Sequence, residues 1–356
     1  MDQNIVYFLG AGCSKNFGYP LTGEIMPEIL QNLHKRDLFQ MENRKSRMER
    51  KHETDLLHSL ELLYPGLKGQ NLRTKKKWIP SITEVLSLVD HLCFYNIPPH
   101  PSLDEGKLLH FRYLLNRAVA ELLMDYQNMA YRGNEEQLLK KFMGPIVKEK
   151  KASKVSIITT NYDLSIDPEF EKAISENQVD YGIPYRGADD DGRIIPQPVN
   201  PLFRYYKLHG SLNWLKCELC GQYYIHHDGS IAHQAFREEI DDANTCICND
   251  HLKLKTVLVA PSLVRDIRDS NLLQIWKAAV EAIRTADKII FVGYSLPGED
   301  LAIKSVIMRG LNGSNKRRTL KVEVVQHGTA AKQHYINLFG KGIKYYEGGL
   351  KQYLNL

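Results

Sequence analysis

Three short stretches carry the residues best suited to chemistry: Gly10-Ala11-Gly12-Cys13-Ser14, Thr159-Thr160-Asn161-Tyr162-Asp163 and Lys207-Leu208-His209-Gly210-Ser211. Glycines that follow an apolar strand let a pyrophosphate approach the main chain, and a helix starting there attracts its charge. The complete Gly-x-Gly-x-x-Gly spacing is not kept after Gly12, so a tight turn packed on a helix accounts for the first stretch equally well. Asn161 and Asp163 bring an amide and a carboxylate to a strand end, where open α/β sheets bind ligands; the same residue types also form turns and caps. His209 is either structural or a general base able to change charge near neutral pH. Ser14 either donates to a phosphate or satisfies local backbone, and Cys13 reads as small packing filler.

A second group of chemistry-bearing residues is sulfur. Cys217-x-x-Cys220 is followed by Cys246-x-Cys248, with His251 nearby. Two close pairs of soft ligands suit tetrahedral zinc, although the second pair is one residue tighter than usual. The strand-like stretch Gln222–His226 between the pairs fits a small zinc-ribbon-like module, taken here as 214–252. Cys93 sits in an apolar segment and reads as core. Zinc held this way supports folding and takes no part in the chemistry.

These residues need a scaffold. Asn4–Leu9 is a short continuous apolar run ending in glycine, as expected of a buried parallel strand. Val155–Thr159, Thr256–Ala260, Lys288–Val292 and Leu320–Val325 repeat the pattern at spacings suited to βα units. Helical spacing appears over Pro20–Leu33, with Thr22 as its expected N-cap, and again over Leu272–Thr285 and Glu299–Leu311. The expected fold is α/β, a Rossmann-like doubly wound parallel sheet. The domain expectation is 1–33 and 155–356 for the nucleotide-type domain, with 34–154 as an insertion of several helices. Stripes such as Leu56-Leu57-Leu60-Leu63 mark that insertion, which forms an oligomer interface, a lid or only its own core. Gly187–Pro201, rich in Asp, Gly and Pro, reads as a mobile surface loop.

Composition narrows the class. A length of 356 residues with 43% hydrophobic content allows a substantial buried core. A net charge of +5 is too diffuse to name nucleic acid as a partner. The basic runs Arg44–Lys51 and Arg73–Lys77 are read as solvated surface, with nucleic-acid contact as the rival reading. No apolar run reaches the roughly 18–20 residues needed to span a bilayer. There is no signal-peptide pattern and too few cysteines for a disulfide scaffold, so the expected location is cytoplasmic.

Taken in order, the Gly-Ala-Gly-x-Ser, Thr-x-Asn-x-Asp and His-Gly motifs, the cysteine cluster and a final Gly-x-Ser-Leu resemble the sirtuin superfamily. The blocks Gly10–Ser14, Gly18-Tyr-Pro-Leu-Thr-Gly23, Thr159–Asp163 and Gly293-Tyr-Ser-Leu-Pro-Gly-Glu-Asp300 more narrowly resemble sirtuin-like NAD-hydrolysing effectors of prokaryotic antiviral defence. The resemblance implies that NAD is a substrate whose nicotinamide–ribose bond is broken. By it, Gly10, Gly12 and Ser14 hold the phosphates, with Ala11 and Thr160 in the same cofactor-binding motifs. Asn161 lies at the nicotinamide ribose, Asp163 holds the carboxamide, His209 is the general base, and Gly293 and Ser295 line the adenosine side.

Three departures count against peptide deacylation or leave contacts open. Phe17-Gly-Tyr-Pro-Leu-Thr-Gly-Glu24 lacks the Asp-Phe-Arg of deacetylating sirtuins. Val259-Ala-Pro-Ser-Leu-Val-Arg265 replaces the strand beside which an acyl-lysine peptide adds. Gln326 replaces the usual Asn near the adenine. The expected activity is therefore an NAD glycohydrolase yielding nicotinamide and ADP-ribose. A protein deacylase, an ADP-ribosyltransferase and a non-catalytic NAD or ADP-ribose sensor are the rivals. The resemblance also implies a homo-oligomer or a partner ATPase or Argonaute-like protein. The chain ends just after the sheet, which points to a trigger in trans.

Overall fold

The computed structural model describes residues 3–39, 47–69, 78–129, 133–148, 154–171, 178–187, 193–226, 231–237, 245–259, 269–298, 300–315 and 319–356. By its internal contacts the chain divides into two compact units, one of Met1–Tyr19, Met129–Val259 and Asp266–Leu356, the other of Pro20–Asn128 and Ala260–Arg265.

The first unit is built on a parallel sheet. Its strands are β1 (Ile5–Leu9), β2 (Val155–Thr159), β3 (Val179–Asp180), β6 (Phe203–Lys207), β12 (Lys288–Val292), β13 (Lys321–Val325) and β14 (Lys344–Tyr346). The remaining strands are β4 (Tyr185–Gly187), β5 (Ile194–Ile195), β7 (Gly210–Lys216), β8 (Tyr223–Ile225), β9 (Thr245–Cys246), β10 (Asn249–Lys253) and β11 (Lys255–Leu258). The main sheet runs β14-β13-β12-β1-β2-β6-β3. Winding therefore proceeds outward from β1 through β2, then restarts on its other side at β12. This is the doubly wound order, with its switch point between β1 and β12. β2 is buried along its whole length, as its unbroken Val-Ser-Ile-Ile-Thr run requires. The helices Ser270–Thr285 and Leu301–Asn312 pack against each other.

The register sets the strand ends level. Leu9 pairs with both Thr159 and Val292, Val292 with Val325, and Thr159 with Lys207. The residues that follow, Gly10, Thr160, Gly293, Gln326 and Leu208, thus leave the sheet along one edge.

Four local expectations need correction. Thr256–Ala260 does not join the parallel sheet. Residues 256–258 belong to β11, which pairs antiparallel with β7 in a second sheet of order β11-β7-β8-β4-β5. Only Val257 of β11 is fully buried; Lys255 is exposed and Thr256 and Leu258 are half-buried, unlike a strand covered on both faces. The place in the parallel sheet goes instead to Phe203–Lys207, whose Arg204 and Lys207 break the apolar run that would have marked it. Thr22 is the first residue of the helix Thr22–Lys35 rather than its cap. Extended Leu21 occupies the cap, and its N–H donates to Glu24 Oε2 at 2.7 Å. Within Gly187–Pro201, residues 188–192 lie outside the described residues, and Ile194–Ile195 is a strand rather than loop. Cys93 is half-buried beside the small Leu92, Leu103 and Leu108 cluster rather than fully in the core.

The second unit is helical, with Thr22–Lys35, Arg47–Leu63, Ile82–Tyr95 and most of Glu105–Met129. Leu56, Leu60, Val85, Phe111, Leu114 and Leu115 are fully buried in it. Arg117 is also buried there, within 3.4 Å of Glu121 and 3.6 Å of Glu49, and over the Phe39 ring. The basic run Arg73–Lys77 lies outside the described residues, as do residues 44–46 of the other; Arg47, Arg50 and Lys51 lie on the helix Arg47–Leu63. Among the described residues, no helix is long and apolar enough to cross a membrane.

Candidate active site at the strand ends

The glycines at the switch point are explained first by packing. Gly10 N donates to Val292 O at 3.1 Å, and Gly12 N to Gly293 O at 2.9 Å. A Cβ on Gly293 would lie 1.9 Å from Cys13 N, and its φ is +64°. A Cβ on Gly10 or Gly12 would likewise press within 3 Å of the Gly293–Tyr294 main chain. Bare backbone thus lets the loops after β1 and β12 close on each other, which no larger residue permits. Cys13 beneath them is buried, and burial, reinforced by the Asp163 carboxylate, pushes its thiol well above the ordinary range. It is packing rather than a nucleophile.

The neighbouring strand ends carry the polar groups. Asn161 donates through Nδ2 to Gly10 O at 2.9 Å and to Ser14 Oγ at 2.9 Å. Ser14, itself buried, donates its hydroxyl hydrogen bond to Asp163 Oδ1 at 3.0 Å and lies 3.0 Å from Ser165 Oγ. Asp163 Oδ1 also accepts the Ser165 N–H at 3.0 Å. Because Gly10 O can only accept, the amide orientation of Asn161 is fixed, and Oδ1 is turned away from the network. Asn161 N is held in turn by Thr159 Oγ1 at 3.0 Å.

His209 is buried and its Nδ1 is 2.9 Å from Thr160 O. A carbonyl only accepts, so Nδ1 carries the proton and the basic lone pair of the neutral ring sits on Nε2. The backbone sets this placement. Leu208 N donates to Thr159 O at 2.9 Å, Trp276 Nε1 donates to Leu208 O at 2.9 Å, and Thr160 N donates to Leu9 O at 3.2 Å. Gly210 follows at φ +79°, with Val257 O only 1.9 Å from where a Cβ would be. The Tyr162 ring tilts against the His209 ring with centroids 6.0 Å apart.

Residues assigned from the three motifs therefore meet, though unequally. Gly10, Ser14, Asn161 and Asp163 share one hydrogen-bond network, His209 joins through Thr160, and Gly12 faces Gly293. Ala11 opens the short helix Ala11–Lys15 and is half-buried. Ser295 is exposed and outside the network; its carbonyl is 3.2 Å from His334 Nδ1. Gln326 turns its amide to Tyr294 O, which the Tyr335 hydroxyl also reaches.

Residues not expected from the sequence lie directly beneath. Lys207, with no exposed surface, donates to Asp163 O at 2.9 Å and reaches the Asp167 carboxylate at 3.3 and 3.4 Å. The Tyr205 hydroxyl donates to Asp167 Oδ2 at 3.1 Å. Burial raises the Asp167 carboxyl above its ordinary value, against the pull of Lys207 and Tyr205. The one sequence signal was a lysine closing an aromatic strand immediately before Leu-His-Gly.

The cysteine pairs converge at the far end of the second sheet. Cys217 Sγ is 3.6 Å from Cys248 Sγ, and Cys220 Sγ is 3.5 Å from Cys246 Sγ. All four sulfurs lie within 4.8 Å of one another, and none is in a disulfide. Four thiolates about 2.3 Å from a tetrahedral zinc would stand about 3.8 Å apart, so the cluster is compatible with that ion. Cys217 N accepts nothing itself but donates to Gln222 O at 3.0 Å, and Gly221 N donates to Cys217 O at 3.0 Å, forming the knuckle. Burial opposes ionisation of Cys246, but the Tyr224 hydroxyl and other donors to its sulfur prevail and bring its thiol down to about 7. The side chain of His251 lies outside the described residues.

No family model matches the chain, and no curated protein matches it. Solved structures do overlay on it along nearly its whole length, and they are Sir2 enzymes. A structure described as the basis for the mechanism and regulation of Sir2 enzymes is 16% identical, covering 98% of this chain and 89% of its own, with a TM-score of 0.39. Sir2 with a p53 peptide and NAD+ is 12% identical, covering 99% and 90%, with a TM-score of 0.40. A Sir2 homologue triple mutant with 2'-O-acetyl ADP ribose is 14% identical, covering 99% and 88%, with a TM-score of 0.44.

Proposed function

We propose that the chain is an NAD glycohydrolase. One observation carries this reading: at the carboxyl edge of a doubly wound sheet a buried histidine is bonded to Thr160 O, and the next residue, Asn161, is oriented by Gly10 O. On this reading a water oxygen bonds to the ribose C1', and the C1'–nitrogen bond breaks. Its electron pair returns to the nicotinamide ring, and the water proton passes to His209 Nε2. Asn161 Oδ1 faces the positive charge that develops on the ribose. Asp163 holds the carboxamide, and the loops at Gly10–Ser14 and Gly293–Ser295 hold the phosphates and adenosine. Ser14, whose proton goes to Asp163, keeps Asn161 in line.

Hydrolysis is favoured over transfer to a peptide by the state of Val259. Its N–H already donates to His209 O at 2.8 Å, and its carbonyl accepts the Tyr162 hydroxyl. The main-chain groups on which an acyl-lysine peptide would add are thus taken at this residue. We further assign zinc to the cysteine cluster as a folding element, and an antiviral NAD-depleting role set off by a partner protein.

The test is purified protein with NAD, following nicotinamide and ADP-ribose, with His209→Ala and Asn161→Ala alongside. Release by the wild type that both variants lose supports hydrolysis. Release unchanged in both variants sinks it. Release strictly dependent on an acyl-lysine peptide would make the protein a deacylase, and tight NAD binding without turnover, even beside its partner, would make it a sensor.

A further inference from the structure

We infer that Lys207 is a positioning residue that holds the Asn161–Asp163 segment in its working conformation, acting through the main-chain oxygen of Asp163. This rests on the hydrolase reading for its kinetic arm only. A lysine with no exposed surface is costly to bury, and a single carboxylate partner rarely repays that cost. Its placement is better explained by what it touches. Nζ spans from Asp167 to Asp163 O, closing the loop that starts at Thr160 against the end of β6. Asp163 so clamped presents Oδ1 to Ser14, and Ser14 accepts from Asn161. Two residues past Lys207 on the same strand end, His209 grips Thr160 O. Lys207 therefore ties both catalytic candidates to one fixed point. The Tyr205 hydroxyl, bonded to Asp167, and the Tyr205 ring 5.2 Å from Nζ complete the enclosure.

A purely structural role and a positioning role separate in the double variant Lys207→Met/Asp167→Asn. Lys207→Met alone strands a buried carboxylate and should destabilise the fold. The double variant removes both charges, so it should melt within about 3 °C of wild type. It still lacks the donor to Asp163 O. Amide hydrogen exchange across residues 160–167 should then quicken ~10-fold or more, with exchange in the helix Leu301–Asn312 unchanged. On NAD, kcat should fall ~10-fold or more while KM stays within ~3-fold. Wild-type exchange across 160–167 together with wild-type kcat would overturn the inference. If the wild type releases no nicotinamide, the hydrolase reading falls and exchange across 160–167 alone decides on Lys207. Should the double variant not fold, Lys207→Met/Asp167→Leu, which also removes both charges and the donor to Asp163 O, gives the same exchange readout: faster exchange confined to 160–167 supports the clamp, and unchanged exchange overturns it.

Discussion

The strand-end network and the cysteine cluster solve the same problem, fixing several polar side chains in a small space, by opposite means. Asn161 and Ser14 are 147 residues apart in sequence and meet because parallel strands set Leu9 level with Thr159. Every bond that holds them is made within the chain. Cys217 and Cys248 are 31 residues apart and meet through a knuckle and a hairpin, where thiols offer each other only weak hydrogen bonds. The first arrangement is supported by the core of the sheet; the second has the spacing of four thiolates around a cation. On the proposed reading, catalysis falls to the network and folding support to the cluster, because a reacting group must stay put while its ligands change.

The sharpest way to break that contrast is at the glycines. Gly293→Ala puts a methyl where Cys13 N stands and requires φ of +64°, so it should cost at least ~3 kcal/mol. Chemical denaturation would show this, and near wild-type stability would mean that the two loops are not closed on each other. Next is His209→Ala, which should lower kcat for NAD by ~10²-fold or more and, because the ring is buried and bonded to Thr160 O, cost about 1–3 kcal/mol of stability as well. A loss of stability without loss of turnover would move His209 to the structural side of the comparison.

The cluster should behave in reverse. A strong chelator, or Cys246→Ser, should lower the melting temperature by about 3 °C, as expected for ~2 kcal/mol in a protein of this size, and leave KM for NAD unaltered. Metal analysis of the purified protein should return zinc, and a stoichiometry near zero in fully folded protein would remove the metal from the account. The smallest effect is at Asp269, which caps the helix Ser270–Thr285 by accepting from Asn271 N and Leu272 N. Asp269→Ala should cost about 1 kcal/mol. Burial works to raise the Asp269 carboxyl, but Lys216 and the cap bonds outweigh it and hold it below 3.8. A depressed carboxylate stabilises the fold above its unfolded pKa and loses that contribution as pH falls through the folded one. The gap between wild type and Asp269→Ala should therefore hold above about pH 5 and narrow as pH falls from there through the folded value below 3.8.

The chain's own pattern was enough to place five-residue apolar strands ending in Gly10, Thr160 and Gly293, and hence a doubly wound sheet with its loops on one edge. Periodicity reports burial, and burial on both faces is what a parallel strand needs. Asn161, Asp163, His209 and the four cysteines were likewise singled out by type and local spacing, and the fold brings the first three to one edge of the sheet and the four sulfurs within 4.8 Å of one another. What only the tertiary structure decided is which groups share a proton. The sequence shows no reason for Ser14 to serve Asp163, for Nδ1 of His209 to face Thr160 O, or for Lys207 to be buried. It also misdirected the fifth strand, because Thr256–Ala260 looks apolar while Phe203–Lys207 carries charge. Strand register and the burial of a charge are settled by partners far along the chain, so they appear only once the sheet has brought those partners together.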